Sequence, residues 1–163
     1  MADKAMDVYL NDHLAGAMLG SELAKQIRDR HQGTPLGDAM ESIAPQIEED
    51  RQVLIDLMER IGTSPNPVKQ ASGWIAEKAS RLKFSGAMAG DADNGAFMAL
   101  ESLTLGVEGK RSLWTVLKEV APQYPPLAST KLDELIDRAE AQHSALEHER
   151  LAAGRRALTS SDE

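Results

Sequence analysis

The stretch LDELIDRAEAQHSALEHERL, residues 132–151, decides the fold that the sequence predicts. Its apolar residues recur every three or four positions among charged ones, which is the pattern of a long amphipathic helix. Glu140 and His143 lie three positions apart, and this spacing places a carboxylate and an imidazole on one face of a helical turn. The function of the chain therefore depends on whether other helices bring further ligands beside this pair.

The composition favours helices and excludes cysteine chemistry. The length of 163 residues suits one domain with its own core. Aromatic residues make up only 4% of the chain, whereas Ala, Leu, Glu, Lys and Met abound, which favours helix over sheet. The chain has no cysteine, so disulfides, thiolate metal sites and cysteine nucleophiles are excluded.

Charge and hydropathy narrow the choice of partners. The formal net charge is -8 and no convincing basic patch is present, so we expect no binding to nucleic acid or to anionic membranes. No apolar run approaches the about 18 residues of a membrane-spanning helix. The first residues, MADKAMDVYLND, show no basic region followed by an apolar run, so we expect no secretory signal and a cytoplasmic protein.

Start and stop signals divide the chain into four long helices and one short one. Thr34 and Pro35 form a helix start directly after Gly33, and Gly62 with the following TSPNP forms a stop. Pro45 predicts a kink or a break in the second helix. The predicted helices span Met6–Arg30 with Asp3 as N-cap, Pro35–Ile61, Pro67–Lys83, Ala96–Val120, and a fifth that starts at Ser129 or Thr130. Residues 84–95 are predicted as loop, residues 1–158 as one domain and residues 159–163 as a disordered tail.

The lengths of the connections predict the topology. The short link between the first two helices makes them an antiparallel hairpin. The third predicted helix covers about 25 Å at 1.5 Å per residue, enough to carry the chain back along a bundle. The fourth helix would then run parallel to the second, in a four-helix bundle with a shorter crossover helix. The alternative is an up-down array of five helices in line.

Heptad spacing gives each long helix an apolar seam with an ionisable group near its middle. The predicted seams are Met6, Leu10, His13, Ala17, Gly20, Ala24 and Ile27; Ile43, Ile47, Asp50, Leu54, Leu57 and Ile61; Leu100, Leu103, Val107, Lys110, Trp114 and Leu117; and Leu132, Ile136, Ala139, His143, Leu146 and Arg150. Burying an unpartnered charge costs several kcal/mol. These ionisable groups must therefore pair with an opposite charge, bind a ligand, or point toward the solvent.

Three interpretations of the ionisable groups stay open. In the first, they form a polar core in which Asp50 pairs with Lys110, while His13 and His143 bond to carboxylates or to Tyr9. In the second, they hold a metal ion through Asp50, Glu101, Glu140 and His143, with His13 as a further candidate. In the third, a seam is misplaced by one residue and the group is solvated; His13 competes with Leu14 in this way.

The pattern resembles the ferritin-like superfamily through its two hairpins, its long crossover and Glu140-x-x-His143 on the last core helix. More narrowly, it resembles an uncharacterised group of small bacterial ferritin-like proteins. The segments that carry this resemblance are YLNDHLAG (9–16), EDR (49–51), WIAEK (74–78), RLK (81–83) and the stretch from Glu101 through Lys110 to Leu113-Trp114. They extend over nearly the whole chain, but the resemblance brings no known activity.

The resemblance implies a ligand set that this chain carries only in part. Metal-binding members place a glutamate on each of two helices and Glu-x-x-His on each of the other two. Here the second predicted helix has no histidine, so the second Glu-x-x-His is absent, and the first has no glutamate near its middle. The ammonium of Lys110 would also repel a divalent ion and neutralise the carboxylates it needs.

We therefore predict a bundle that lacks a complete di-iron ligand set, needs no cofactor and is not a catalyst. It would act as a homo-oligomer, with a dimer favoured, or by binding another protein. The alternative is an iron- or manganese-dependent oxidase or metal-handling protein that uses the atypical site.

Overall fold

A computed structural model describes residues 3–66 and 92–159 of the chain. These residues form four long α-helices and two single 3-10 turns, and they contain no strand, so the all-α prediction is confirmed. The helices are α1 (Lys4–Arg30), α2 (Pro35–Ile61), α3 (Ala92–Val120) and α4 (Leu132–Thr159), and the 3-10 turns are Ala121–Gln123 and Pro125–Leu127. The third predicted helix, 67–83, and residues 160–163 of the predicted tail lie outside the described residues.

The helix ends follow the capping residues. The Asp3 carboxylate accepts a hydrogen bond from the Ala5 N–H, and the Thr34 hydroxyl oxygen accepts one from the Gly37 N–H at 3.2 Å. Gly62 ends α2 in the left-handed conformation, with a φ of 85°, which suits a residue without a side chain.

The start of the fourth predicted helix was placed too late. α3 begins at Ala92 rather than Ala96, so the last four residues of the predicted loop are helical; Asp93 in the first turn complements the helix dipole there. α2 has the predicted bounds, Pro35–Ile61, and of the two alternatives at Pro45 the break does not occur. The proline lies on the exposed side of the helix, where the carbonyl oxygen that loses its N–H partner can bond to water.

Contacts at the two ends of the bundle fix the direction of each helix. Arg60, near the end of α2, donates hydrogen bonds to Ser129 and Thr130, which follow α3 and precede α4, at 2.8 and 3.0 Å. At the opposite end, Arg156 of α4 donates to Asp93 of α3 at 3.2 Å. The helices α2 and α3 therefore run parallel, and α1–α2 and α3–α4 form two antiparallel hairpins. The chain between residues 66 and 92 therefore joins opposite ends of the bundle. Asp50 of α2 contacts Lys110 of α3 and Arg138 of α4, which excludes the in-line array, where a helix contacts only its neighbours in the chain.

Two apolar clusters fill the interior, one toward each end of the bundle. The first centres on Ile27, Met40, Ile43, Leu100 and Leu103. The second centres on Leu10, Leu57, Leu113, Trp114 and Leu117. Between them, at the level of Asp50 in α2, the interior is polar. The helices thus place a charged layer across the middle of an otherwise apolar core.

Candidate functional site

The charged layer is built around Asp50, which is 2% exposed. The Nζ atom of Lys110 in α3 lies 2.5 Å from the Oδ2 atom of Asp50, so the pair that heptad spacing predicts is present as a salt bridge. The same ammonium donates to the Oε1 atom of Gln142 in α4 at 2.5 Å. Three helices therefore meet at one buried ion pair.

Two residues of α4 complete the layer, and the sequence interpretation missed both. Arg138 donates to the Oδ1 atom of Asp50 and, at 3.1 Å, to the carboxylate of Glu49. Gln142, 2% exposed, donates from its Nε2 atom to the Oδ2 atom of Asp50 at 3.2 Å and to the Oε1 atom of Gln46 at 3.1 Å. Both carboxylate oxygens of Asp50 are therefore bound by nitrogen donors.

A sequence signal for Gln142 was present. The spacing Leu132, Leu135, Ala139, Gln142 and Leu146 alternates three and four, as a heptad seam does, and all five residues are buried. The predicted seam through Ile136 and His143 was therefore wrong by one position, and both of these residues are only partly buried.

The charges of the layer balance locally. Burial lowers the pKa of Lys110 because it disfavours the ammonium form, while the neighbouring Asp50 carboxylate opposes that shift. Arg138 brings a second cation, and the exposed Glu49 brings a second carboxylate. The Nε atom of Arg138 is buried without a hydrogen-bond partner, so the guanidinium uses only its two terminal nitrogens.

The structure does not bring the four predicted metal ligands together. Glu101 pairs with Arg150 at 3.2 Å, and the half-exposed Glu140 lies 3.9 Å from Arg111. His143 is partly buried, and the neighbouring carboxylates of Glu108 and Glu147 are bound by Arg111 and Arg150. Asp50 belongs to the layer. Each of the three carboxylates in the predicted metal site therefore has a lysine or an arginine of the chain beside it. For this reason we correct the prediction that the four residues form one metal site.

The other two residues of the predicted polar core, Tyr9 and His13, lie outside the charged layer. Their rings meet edge to face, with centroids 4.6 Å apart and an interplanar angle of 69°. Burial raises the pKa of Tyr9 and lowers that of His13. Leu14, 2% exposed, takes the seam position of α1 that the prediction gave to His13.

A second polar group, also missed from the sequence, joins α1 to α2. Ser21, 3% exposed, donates its hydroxyl hydrogen to Glu48, and Arg51 binds the same carboxylate through its Nη2 and Nε atoms at 2.5 and 3.1 Å. These hydrogen bonds, from Arg51 first and Ser21 second, lower the pKa of Glu48 to about 2.

The donor set of the interior does not fit a divalent metal ion. A metal needs carboxylate lone pairs, and those of Asp50 are directed at an ammonium, a guanidinium and an amide. Over the ranges 3–66 and 92–159, no group of three or more His, Asp or Glu side chains lies close enough together to hold a metal ion.

Fold and site together define an all-α bundle of two antiparallel hairpins with a self-neutralised charged layer across its core. Comparison with protein-family models, with curated proteins and with solved structures gave no match. None of the four helices in the described ranges contains an apolar stretch of the length that spans a bilayer.

Proposed function

We propose that this protein is a ferritin-like helical bundle that lacks a complete di-iron ligand set, is not a catalyst, and acts through its surface by oligomerising or by binding another protein. The observation that carries the proposal is that Lys110 and Arg138 both form salt bridges with Asp50. In bundles of this kind, ligands from facing helices converge in the middle of the core. Here the middle of the core holds a carboxylate and two cationic side chains that neutralise its charge.

The topology supports the ferritin-like part of the proposal. The parallel run of α2 and α3 needs a connection between opposite ends of the bundle, and the resemblance implies a connection of that kind. The site supports the non-catalytic part. Both oxygens of the interior carboxylate accept hydrogen bonds from the chain, and Glu101 and Glu140 face arginines.

Titration of chelator-treated full-length protein with Fe²⁺ under anaerobic conditions, and separately with Mn²⁺, tests the proposal by calorimetry. We expect no saturable binding at a fixed ratio of ion to chain, because Lys110 and Arg138 already neutralise Asp50. His143→Ala and Asp50→Asn serve as matched variants. Stoichiometric binding by the wild-type protein would overturn the proposal. Its loss in either variant would identify the predicted ligands as the site.

A further inference from the structure

We propose that the side chain of Asn11 is a latch that holds residues 64–66, the exit segment through which the chain leaves α2, against α1. The latch opens as a local unit, separately from the unfolding of the bundle. This inference goes beyond the proposed function and does not depend on it. It begins from the burial of Asn11, a polar residue of α1 that is 0% exposed. Buried amides have hydrogen-bond partners, and two of the partners of this one lie in the exit segment.

The carboxamide of Asn11 uses both of its polar ends on the main chain. Its Nδ2 atom donates to the carbonyl oxygen of Asp7, one turn earlier in α1, at 3.0 Å and to that of Ser64 at 3.2 Å. Its Oδ1 atom accepts a hydrogen bond from the Asn66 N–H at 2.6 Å. One side chain therefore binds the main chain on both sides of Pro65.

The sequence of the exit segment leaves few other ways to hold it. Pro65 and Pro67 have no N–H, so Asn66 between them supplies the only main-chain donor of this tripeptide. Residues that precede proline are also disfavoured in the helical conformation, and both Ser64 and Asn66 precede one. The segment is therefore unsuited to continue the hydrogen bonds of α2, and Asn11 accepts the one that it offers.

Burial changes sharply where the exit segment begins. Thr63, the residue before it, is 6% exposed, and its N–H and its hydroxyl both donate to the Met58 carbonyl oxygen at 3.0 Å, which closes the end of α2. The next two residues are exposed, and Asn66 is only partly buried. Little apolar surface holds the exit segment, so its attachment depends mainly on the two hydrogen bonds to Asn11.

The two sides of the latch differ in stability. Segments with few buried contacts open at a lower free-energy cost than the core of the same protein. Asn11, by contrast, is fully buried and follows Leu10 of the second apolar cluster. The exit segment can therefore detach while the helices stay folded. Detachment removes two partners of a buried amide, and this cost limits how often the latch opens.

Amide hydrogen exchange of the full-length protein tests the latch. The reporter is the Asn66 N–H, and the reference is the N–H of Leu57, which is 0% exposed in α2. We expect Asn66 to be protected at least about tenfold relative to an unstructured peptide, but much less than Leu57. Low concentrations of urea should accelerate exchange at Leu57 and leave Asn66 nearly unchanged, because local opening exposes little surface. Exchange of Asn66 at the rate of an unstructured chain, or with the rate and urea dependence of Leu57, would overturn the proposal.

Asn11→Leu keeps the approximate size of the side chain and removes its hydrogen bonds. Protection of Asn66 should then fall at least about tenfold relative to that of Leu57. Thr104→Val is the matched control, because Thr104 is 5% exposed and its hydroxyl donates within α3, to the Leu100 carbonyl oxygen at 2.7 Å. It should leave the ratio of the two protections as in the wild-type protein. An equal loss of protection at both amides in Asn11→Leu would contradict the latch, and if that variant does not fold, the wild-type exchange rates decide.

Discussion

A carboxylate as buried as that of Asp50 persists in a protein core only when its charge is neutralised and its lone pairs are bound. Lys110 and Arg138 supply the opposite charge, and together with Gln142 they donate three hydrogen bonds to the two carboxylate oxygens. A buried ion pair of this kind contributes little net stability relative to well-packed apolar residues, but loss of one partner is costly. We infer that the layer fixes the alignment of the helices rather than adding to their stability.

Glu48 gives a prediction for the dependence of stability on pH. Its pKa in the folded protein is about 2, below the ordinary value of 4.5, so the unfolded chain binds a proton first as the pH falls. The stability that Glu48 contributes is therefore present above about pH 4.5 and is lost progressively toward pH 2. Thermal melts between pH 3 and 6 should show the wild-type protein losing more stability than Glu48→Gln.

Ser21→Ala supplies the control for this effect. It removes one of the hydrogen bonds that lower the pKa of Glu48 while Arg51 keeps the other. The loss of stability with falling pH should then be smaller than in the wild-type protein. A difference between wild type and Glu48→Gln that is constant across the pH range would show that the carboxylate has an ordinary pKa.

For single residues, the sequence predicts an interaction when both residues lie on the apolar seams of their helices. Asp50 and Lys110 do, and their opposite charges made the pair one of the three interpretations that the seams left open. Arg138 lies beside the seam of α4 and reaches Asp50 with a long side chain, which apolar periodicity does not indicate. The predicted seam of α4 contained His143, although Gln142 occupies the buried position.

For whole helices, the clarity of the apolar pattern determined the success of prediction. In α2 every predicted seam residue is buried, because polar residues separate the apolar positions clearly. In α4 Leu135 and Ile136 are adjacent, so the pattern fits two alignments one residue apart. Packing against α3 selects the one with Leu135 inside, and this choice depends on another helix rather than on the local sequence.

The turn between α1 and α2 depends on a glycine that lies within a helix. A Cβ atom at Gly37 would lie 2.0 Å from the carbonyl oxygen of His31 and 2.6 Å from its carbonyl carbon. Gly37→Ala must therefore displace backbone, and we expect it to lower the free energy of unfolding by about 1–3 kcal/mol in urea titrations.

Gly16→Ala is the matched control, because nothing lies within 4 Å of a Cβ atom at that position of α1. Alanine is the better helix former, so this variant should gain about 0.5–1 kcal/mol. Equal effects of the two alanines would mean that the close approach of α2 to His31 does not occur in solution.

In the whole molecule, the sequence left open whether the chain crosses over or runs in line. Loop lengths permit either path, since both need the same four long helices. Asp50 decides between them, because it contacts Lys110 of α3 and Arg138 of α4, whereas a helix of an in-line array contacts only its neighbours in the chain. Contacts between residues 60 and more positions apart in the chain are beyond the reach of periodicity, which reports only local structure.

The charged layer also separates the interior into two apolar halves. Sliding α4 by one turn, about 5.4 Å, would keep apolar residues facing each other but would part Gln142 and Arg138 from Asp50. The layer therefore penalises misaligned bundles more than apolar packing alone would.

A double-mutant cycle on Asp50 and Lys110, followed by urea unfolding, tests the central claim that these groups neutralise each other inside the core. Asp50→Asn and Lys110→Met should each destabilise the protein by about 2–3 kcal/mol, and the double variant by clearly less than their sum, with a coupling of about 1–3 kcal/mol. The exposed pair of Lys118 and Asp133, treated in the same way, should couple much more weakly. Additive effects at Asp50 and Lys110, within about 0.5 kcal/mol, would contradict the account.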